Sequence, residues 1–159
     1  MLDDKRQLLR HTVATLAYRG GKTLRDAPAE FANYRASETS RTPGEILAHL
    51  GDLLDWALVM AQGRQAWQDS PSLTWEQGTD RFFAALRAFD DFLASNEPLG
   101  QPAERLFQGP IADALTHVGQ LAMLRRMAGG AIRGENYFKA EIEIGKVGAD
   151  QPAPRREFD

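Results

Sequence analysis

The three histidines are the main candidates for metal binding or catalysis in this sequence, because the chain contains no cysteine. His49 follows Ile46 by three residues and precedes Leu53 by four, so on a helix it borders the apolar face. Asp113 and His117 are four residues apart, which stacks them one helical turn above the other. Two imidazoles and one carboxylate that converge from one side form a ligand set for a divalent cation such as Zn, Ni, Fe or Mn.

The same spacing also allows a structural interpretation. A single histidine on an inner helix face is often a hydrogen-bonded core residue, and Asp113 with His117 can form a simple intrahelical ion pair. The metal interpretation requires in addition that the helix of His49 lies next to the helix of His117. His11 has no such partner in the sequence and is expected to be solvated or to cap a helix.

Four amphipathic helices are expected to position these residues. Thr42 and Glu45 form a capping-box pattern around a proline at the first helical position, and Thr74 with Gln77 repeats the pattern. Gly129-Gly130 supplies a C-terminal stop. The expected helices run from Asp3 to about Arg25, from Pro43 to about Trp67, from about Thr74 to Ser95, and from Ile111 to Ala128.

These elements predict an all-α fold, a four-helix bundle in one domain that spans residues 1–159. The connectors at residues 26–41 and 96–110 are longer than simple hairpins between helices require, so we expect a crossover connection. Residues from about 131 onwards form a short irregular C-terminal extension that is expected to be less ordered than the helices.

Composition restricts the class of protein further. The chain has 159 residues, of which 43% are hydrophobic and 26% charged, as is typical of globular domains. The net charge of −3, without a cluster of basic residues, argues against nucleic acid as a partner. There is no apolar run long enough to span a membrane and no signal-peptide pattern, so we expect a cytoplasmic protein without a membrane partner.

Two stretches resemble the DinB/YfiT-like superfamily of small helical metalloproteins. Residues 42–50, TPGEILAHL, are similar to the second helix of that family, and residues 114–126, ALTHVGQLAMLRR, are similar to its later helix. The resemblance implies a four-helix bundle of DinB-like type in which three side chains, commonly all histidine, hold a divalent metal. His49 matches the first ligand and His117 the third, whereas Asp113 stands where the second histidine is usual.

The family contains thiol-dependent transferases and isomerases. The resemblance therefore implies a metal-dependent enzyme for small molecules, with a low-molecular-weight thiol as a substrate. The alternative is a non-catalytic bundle that binds a small ligand or a protein and carries a structural or vestigial metal site. Relatives are commonly homodimers, and Trp67 and Trp75 are the aromatic residues that we expect in such an interface.

Three further residues have both a functional and a structural interpretation. Trp56, two turns after His49, either lines a substrate pocket or packs in the core. Gln120, one turn after His117, either orients that ligand or only adds polarity to the end of the bundle. Arg125, in the last turn of its helix, either binds an anion or interacts with the helix dipole.

Overall fold

The computed structural model describes residues 3–158 and shows a mostly helical chain with very little strand. The all-α fold class is therefore confirmed. Four long helices are joined by connectors, and the connector between the first two contains a short 3₁₀ turn, Ala29–Asn33. The helices are α1 (Asp4–Leu24), α2 (Pro43–Ala61), α3 (Trp75–Ala94), the one-turn α4 (Ala103–Leu106) and α5 (Ala112–Met127), and the strands are β1 (Gly134–Glu135) and β2 (Glu157–Phe158).

Three helices begin where local side chains can satisfy their free N–H groups. The Asp3 side chain accepts a hydrogen bond from the Arg6 amide at the start of α1. Both predicted capping boxes are present, at Thr42 for α2 and at Thr74 for α3. Because a capping box satisfies two donors with residues only three positions apart, it can be identified from sequence.

The four long helices surround one apolar core. Helix α1 packs against α3 and α5, and α2 packs against the same two helices, so α1 and α2 lie diagonally opposite each other. The connectors from α1 to α2 and from α3 to α5 therefore both cross the bundle. The centre is filled by fully buried side chains, among them Val13, Leu16, Leu50, Leu54, Phe82, Leu86, Phe89 and Leu121.

Two buried arginines each bind the C-terminal end of a neighbouring helix. Arg6 of α1 donates to the carbonyl oxygens of Phe92, Leu93 and Glu97 at the end of α3, at 2.7–2.8 Å. Arg125 of α5 donates in the same way to two carbonyl oxygens at the end of α1. Both side chains supply donors to carbonyl groups at or just after the last turn of a neighbouring helix, where intrahelical donors run out. Arg125 is therefore a helix-capping residue and not part of an anion site.

Helix α2 ends at Ala61, six residues before the predicted end at Trp67. Gly63 has a φ of +78°. Its amide donates to Met60, and the next amide donates to Val59, which is the hydrogen-bond pattern of a Schellman motif. The loop that follows is fixed to α2, because the buried Asp52 carboxylate accepts a hydrogen bond from the Ser70 amide at 2.9 Å.

Helical structure before α5 begins at Ala103, earlier than the predicted start at Ile111. Helix α4 continues through a π-helical turn, Phe107–Ile111, directly into α5. Pro110 lies inside this turn, which accommodates a residue that has no amide hydrogen to donate. The Gly-Pro pair in the sequence suggested a connector, whereas it lies within a wide helical turn.

The C-terminal extension packs back on α1 through buried polar groups. Strand β1 pairs with β2 in antiparallel orientation. Glu135 accepts hydrogen bonds from the Tyr18 hydroxyl at 2.6 Å and the Lys22 ammonium at 2.8 Å, and Lys22 also reaches Glu157 at 2.9 Å. The Glu135 side chain is completely buried. Sequence alone did not indicate this contact between the two ends of the chain.

Candidate metal centre

The structure brings His49, Asp113 and His117 together between α2 and α5. One ligand atom from each residue lies within 4.8 Å of the other two. One carboxylate oxygen of Asp113 is 3.6 Å from Nε2 of His49, and the other is 3.5 Å from Nε2 of His117. The ring centroids of the two histidines are 4.7 Å apart, with nearly perpendicular planes. The two helices are therefore adjacent, as the metal interpretation requires.

This spacing fits a divalent cation. Three atoms no more than 4.8 Å apart all lie within about 2.8 Å of a common point, and zinc ligands are bound at about 2.0–2.2 Å. Closing that difference takes a shift of at most about 0.6–0.8 Å at each ligand atom, which small side-chain rotations can supply. Two imidazoles and one carboxylate on one side of an ion also leave further coordination positions open.

The environment of His49 favours its neutral form, which is the form that binds metals. Burial lowers the pKa of His49 below its ordinary value, and electrostatic interactions with His117 and Arg41 lower it further, against the opposing effect of Asp113. The side chain of His49 is only 19% exposed, whereas that of Asp113 is 49% exposed. The carboxylate thus lies at the solvent side of the cluster and the imidazoles at its protein side.

Gln120 orients the His117 ring. The Nδ1 atom of His117 lies 2.8 Å from the side-chain oxygen of Gln120. Since a carbonyl oxygen can only accept, this contact favours the neutral tautomer with the hydrogen on Nδ1, which leaves a lone pair on Nε2, the atom that faces Asp113. Gln120 is therefore an orienting partner of a candidate ligand, the first of the two roles that its position allowed.

Two tryptophans form an aromatic wall on the other side of His49. The Trp67 ring packs edge-to-face on His49, and the Trp56 ring packs in the same way on Trp67, each with centroids 5.7 Å apart. Trp56 itself lines a separate cavity with Met60 and Pro110. It contributes to the site through Trp67, a residue for which the sequence predicted only a role in a dimer interface.

A solvent-open cavity of about 540 Å³ lies beside the cluster. His49, His117 and Gln120 contribute its polar surface near the candidate ligands. Apolar side chains form the rest of its wall, together with two residues of the segment that precedes α2. These lining residues are Ile46, Met123 and Leu124, and Ser40 and Arg41.

Other predicted residues lie outside this centre. His11 is exposed on α1 and does not belong to the cluster. Trp75 is only 7% exposed and packs on Phe31 with ring centroids 5.2 Å apart, so the expectation that it lies in a dimer interface is wrong. Sequence reasoning missed Arg41, because a charged residue before a helix cap shows no periodicity that would place it at a site.

No family model matches the chain, and neither a curated protein nor a solved structure matches it. Within residues 3–158, no helix has the length and apolar character needed to cross a membrane.

Proposed function

We propose that the chain is a divalent-metal-dependent enzyme for small molecules, with His49, Asp113 and His117 as the metal ligands. The observation that carries the proposal is the convergence of three ligand atoms within 4.8 Å at the edge of an open cavity. Neither helix alone could produce this cluster. The sequence resemblance to the DinB/YfiT-like superfamily agrees with this ligand set, and we propose membership of that superfamily.

The openness of the cluster favours a catalytic role over a structural one. Structural zinc sites are usually closed by four protein ligands, whereas catalytic sites have three and keep a position for water or substrate. Here the described residues provide three ligands, and the side facing the cavity is accessible. A non-catalytic bundle would have no need for this accessible position.

A divalent ion bound here would supply Lewis-acid chemistry, lowering the pKa of a coordinated water or thiol so that a nucleophile is available near neutral pH. The protein itself has no cysteine, so a thiol nucleophile must come from a substrate. Gln120 fixes the direction of the His117 lone pair, and Trp67 shields one side of His49 from water. We therefore propose a transferase or isomerase that uses a low-molecular-weight thiol.

Metal titration of three proteins tests the ligand set. Wild type is expected to bind one equivalent of Zn²⁺ or Mn²⁺, and His117→Ala is expected to bind at least about tenfold more weakly because one of three ligands is lost. His11→Ala is the matched control, since it removes an exposed histidine outside the cluster. Equal affinities of His117→Ala and wild type would refute the site.

The thiol can be tested separately on the Co²⁺-loaded protein. A thiolate that binds directly to Co²⁺ produces an intense sulfur-to-metal charge-transfer absorption, which 2-mercaptoethanol should induce in wild type and in His11→Ala. A metal-loaded protein that gives no such absorption with any small thiol would contradict the thiol assignment and leave the metal site intact.

A further inference from the structure

We propose that Arg41 forms an oxyanion-binding subsite in the cavity beside the candidate metal centre, so that the small-molecule substrate carries a carboxylate or phosphate group. Arg41 lines the cavity together with His49 and His117. The assignment of this subsite to a substrate rests on the proposed function, whereas the binding of an oxyanion does not.

The Arg41 guanidinium has no carboxylate partner among the described residues. Its nearest acidic neighbour along α2, Glu45, instead accepts a hydrogen bond from the Thr42 amide at 2.7 Å and pairs with Arg35 at 3.9 Å. Asp113 faces the two histidines. Arg41 therefore brings an uncompensated charge and a planar set of donors, which match the geometry of carboxylates and phosphates.

The backbone on both sides of Arg41 is held in place. On one side, Arg35 donates to the Ser40 carbonyl at 2.8 Å, and the Ser40 hydroxyl is hydrogen-bonded within a turn with Ser37. On the other side, Thr42 is fixed by the capping box of α2. A cation on such an anchored segment loses less conformational freedom when it binds a ligand than one on a free loop.

The rest of the cavity defines the other end of the ligand. Ile46 is one helical turn before His49, and with Leu124 it supplies a buried apolar part of the cavity wall that Arg41 and the two histidines also line. Pro43, the first residue of α2, precedes His49 by six positions, which is about 9 Å along the helix axis. The expected ligand is therefore a small molecule with an oxyanion at one end, an apolar middle, and the reacting group at the other end.

The test compares three small probes by NMR titration of the metal-free protein. The probes are 3-phenylpropionate, benzylphosphonate and the neutral 3-phenylpropionamide, and the signals are the Arg41 Nε–H and the backbone amides around Ile46. Wild type is expected to prefer an oxyanion over the amide by about three- to fivefold, the size of an ion pair at a solvent-accessible site. Whichever oxyanion binds more tightly identifies the substrate class.

Two variants make the comparison decisive. Arg41→Ala should lose the preference for the oxyanion, whereas Arg156→Ala, which removes an exposed arginine of the C-terminal extension, should keep it. An Arg41→Ala protein with an unchanged preference would overturn the subsite. So would oxyanion probes that shift signals only outside the cavity.

The metal content of the same proteins separates the two proposals. Arg41→Ala should bind metal at least as tightly as wild type, since it loses a repelling charge and no ligand. A wild type that binds no metal but shows the Arg41-dependent preference would refute the metal function and retain the subsite. A wild type that binds metal but whose preference for the oxyanion does not depend on Arg41 would refute the subsite and retain the metal function.

Discussion

The hydrogen bond between Gln120 and His117 predicts that a residue outside the ligand set controls metal affinity. Replacing Gln120 with alanine removes the acceptor that holds the hydrogen on Nδ1, so the ring is free to rotate and to change tautomer. Losing such a partner typically weakens metal binding by about 10–100-fold. Because Gln120 is exposed, water can replace part of the interaction, and we expect the lower limit of about tenfold, or about 1.4 kcal/mol.

The assay is a Zn²⁺ titration in competition with a chromophoric chelator, together with thermal unfolding of the metal-free proteins. Gln120→Ala should unfold at the temperature of wild type, which assigns the loss to the site and not to the fold. Gln120→Glu retains an acceptor and should restore the affinity. Gln7→Ala on α1, which lies outside the cavity, is the control. A Gln120→Ala protein with wild-type affinity would refute the orienting role.

Three more predictions follow from the described contacts. Asp113→His should retain the fold and bind metal, but its preference should shift towards softer metals, because an imidazole replaces a hard oxygen ligand. Competition between Zn²⁺ and Mn²⁺ measures this preference. An unchanged preference would argue against Asp113 as a ligand. In the metal-free protein the pKa of His49 should lie below 6.5 and rise in Arg41→Ala. Near this pH the folded state then binds fewer protons than the unfolded state. The free energy of unfolding should therefore fall as the pH drops through about 6.5 towards the lowered pKa of His49. Chemical denaturation at a series of pH values measures this free energy. Lys22→Met should lower the free energy of unfolding by about 3 kcal/mol, because Glu135 stays buried without its cation, and the double variant with Glu135→Leu should recover much of this loss.

The part of the site that could be predicted from sequence depends on short-range geometry. Asp113 and His117 share one helix face whatever surrounds them, because their spacing is one turn. His49 could be placed relative to the apolar stripe of α2, whose start was fixed by the capping box at Thr42. Its approach to His117 depends on how two helices pack, and only the structure shows that they are adjacent.

The remaining parts depend on contacts between residues far apart in the chain. Trp67 reaches His49 because α2 ends early, and the signal for that end was Gly63, whose positive φ favours glycine. A helix that continued to Trp67 would have taken this ring away from His49. The burial of Glu135 against Lys22 joins residues 113 positions apart, and no local pattern in either segment indicates such a pair.

The π-helical turn between α4 and α5 sets the rotational phase of the two metal ligands that follow it. Each residue in a helix rotates the chain by about 100°. If one residue were deleted from Phe107–Ile111 while Leu106 stayed in the core, Asp113 and His117 would turn by that angle, away from His49. The number of residues between Leu106 and Asp113 therefore matters more than their identities. Among sequences that share this fold and ligand set, alignments should show substitutions in the turn but no gaps.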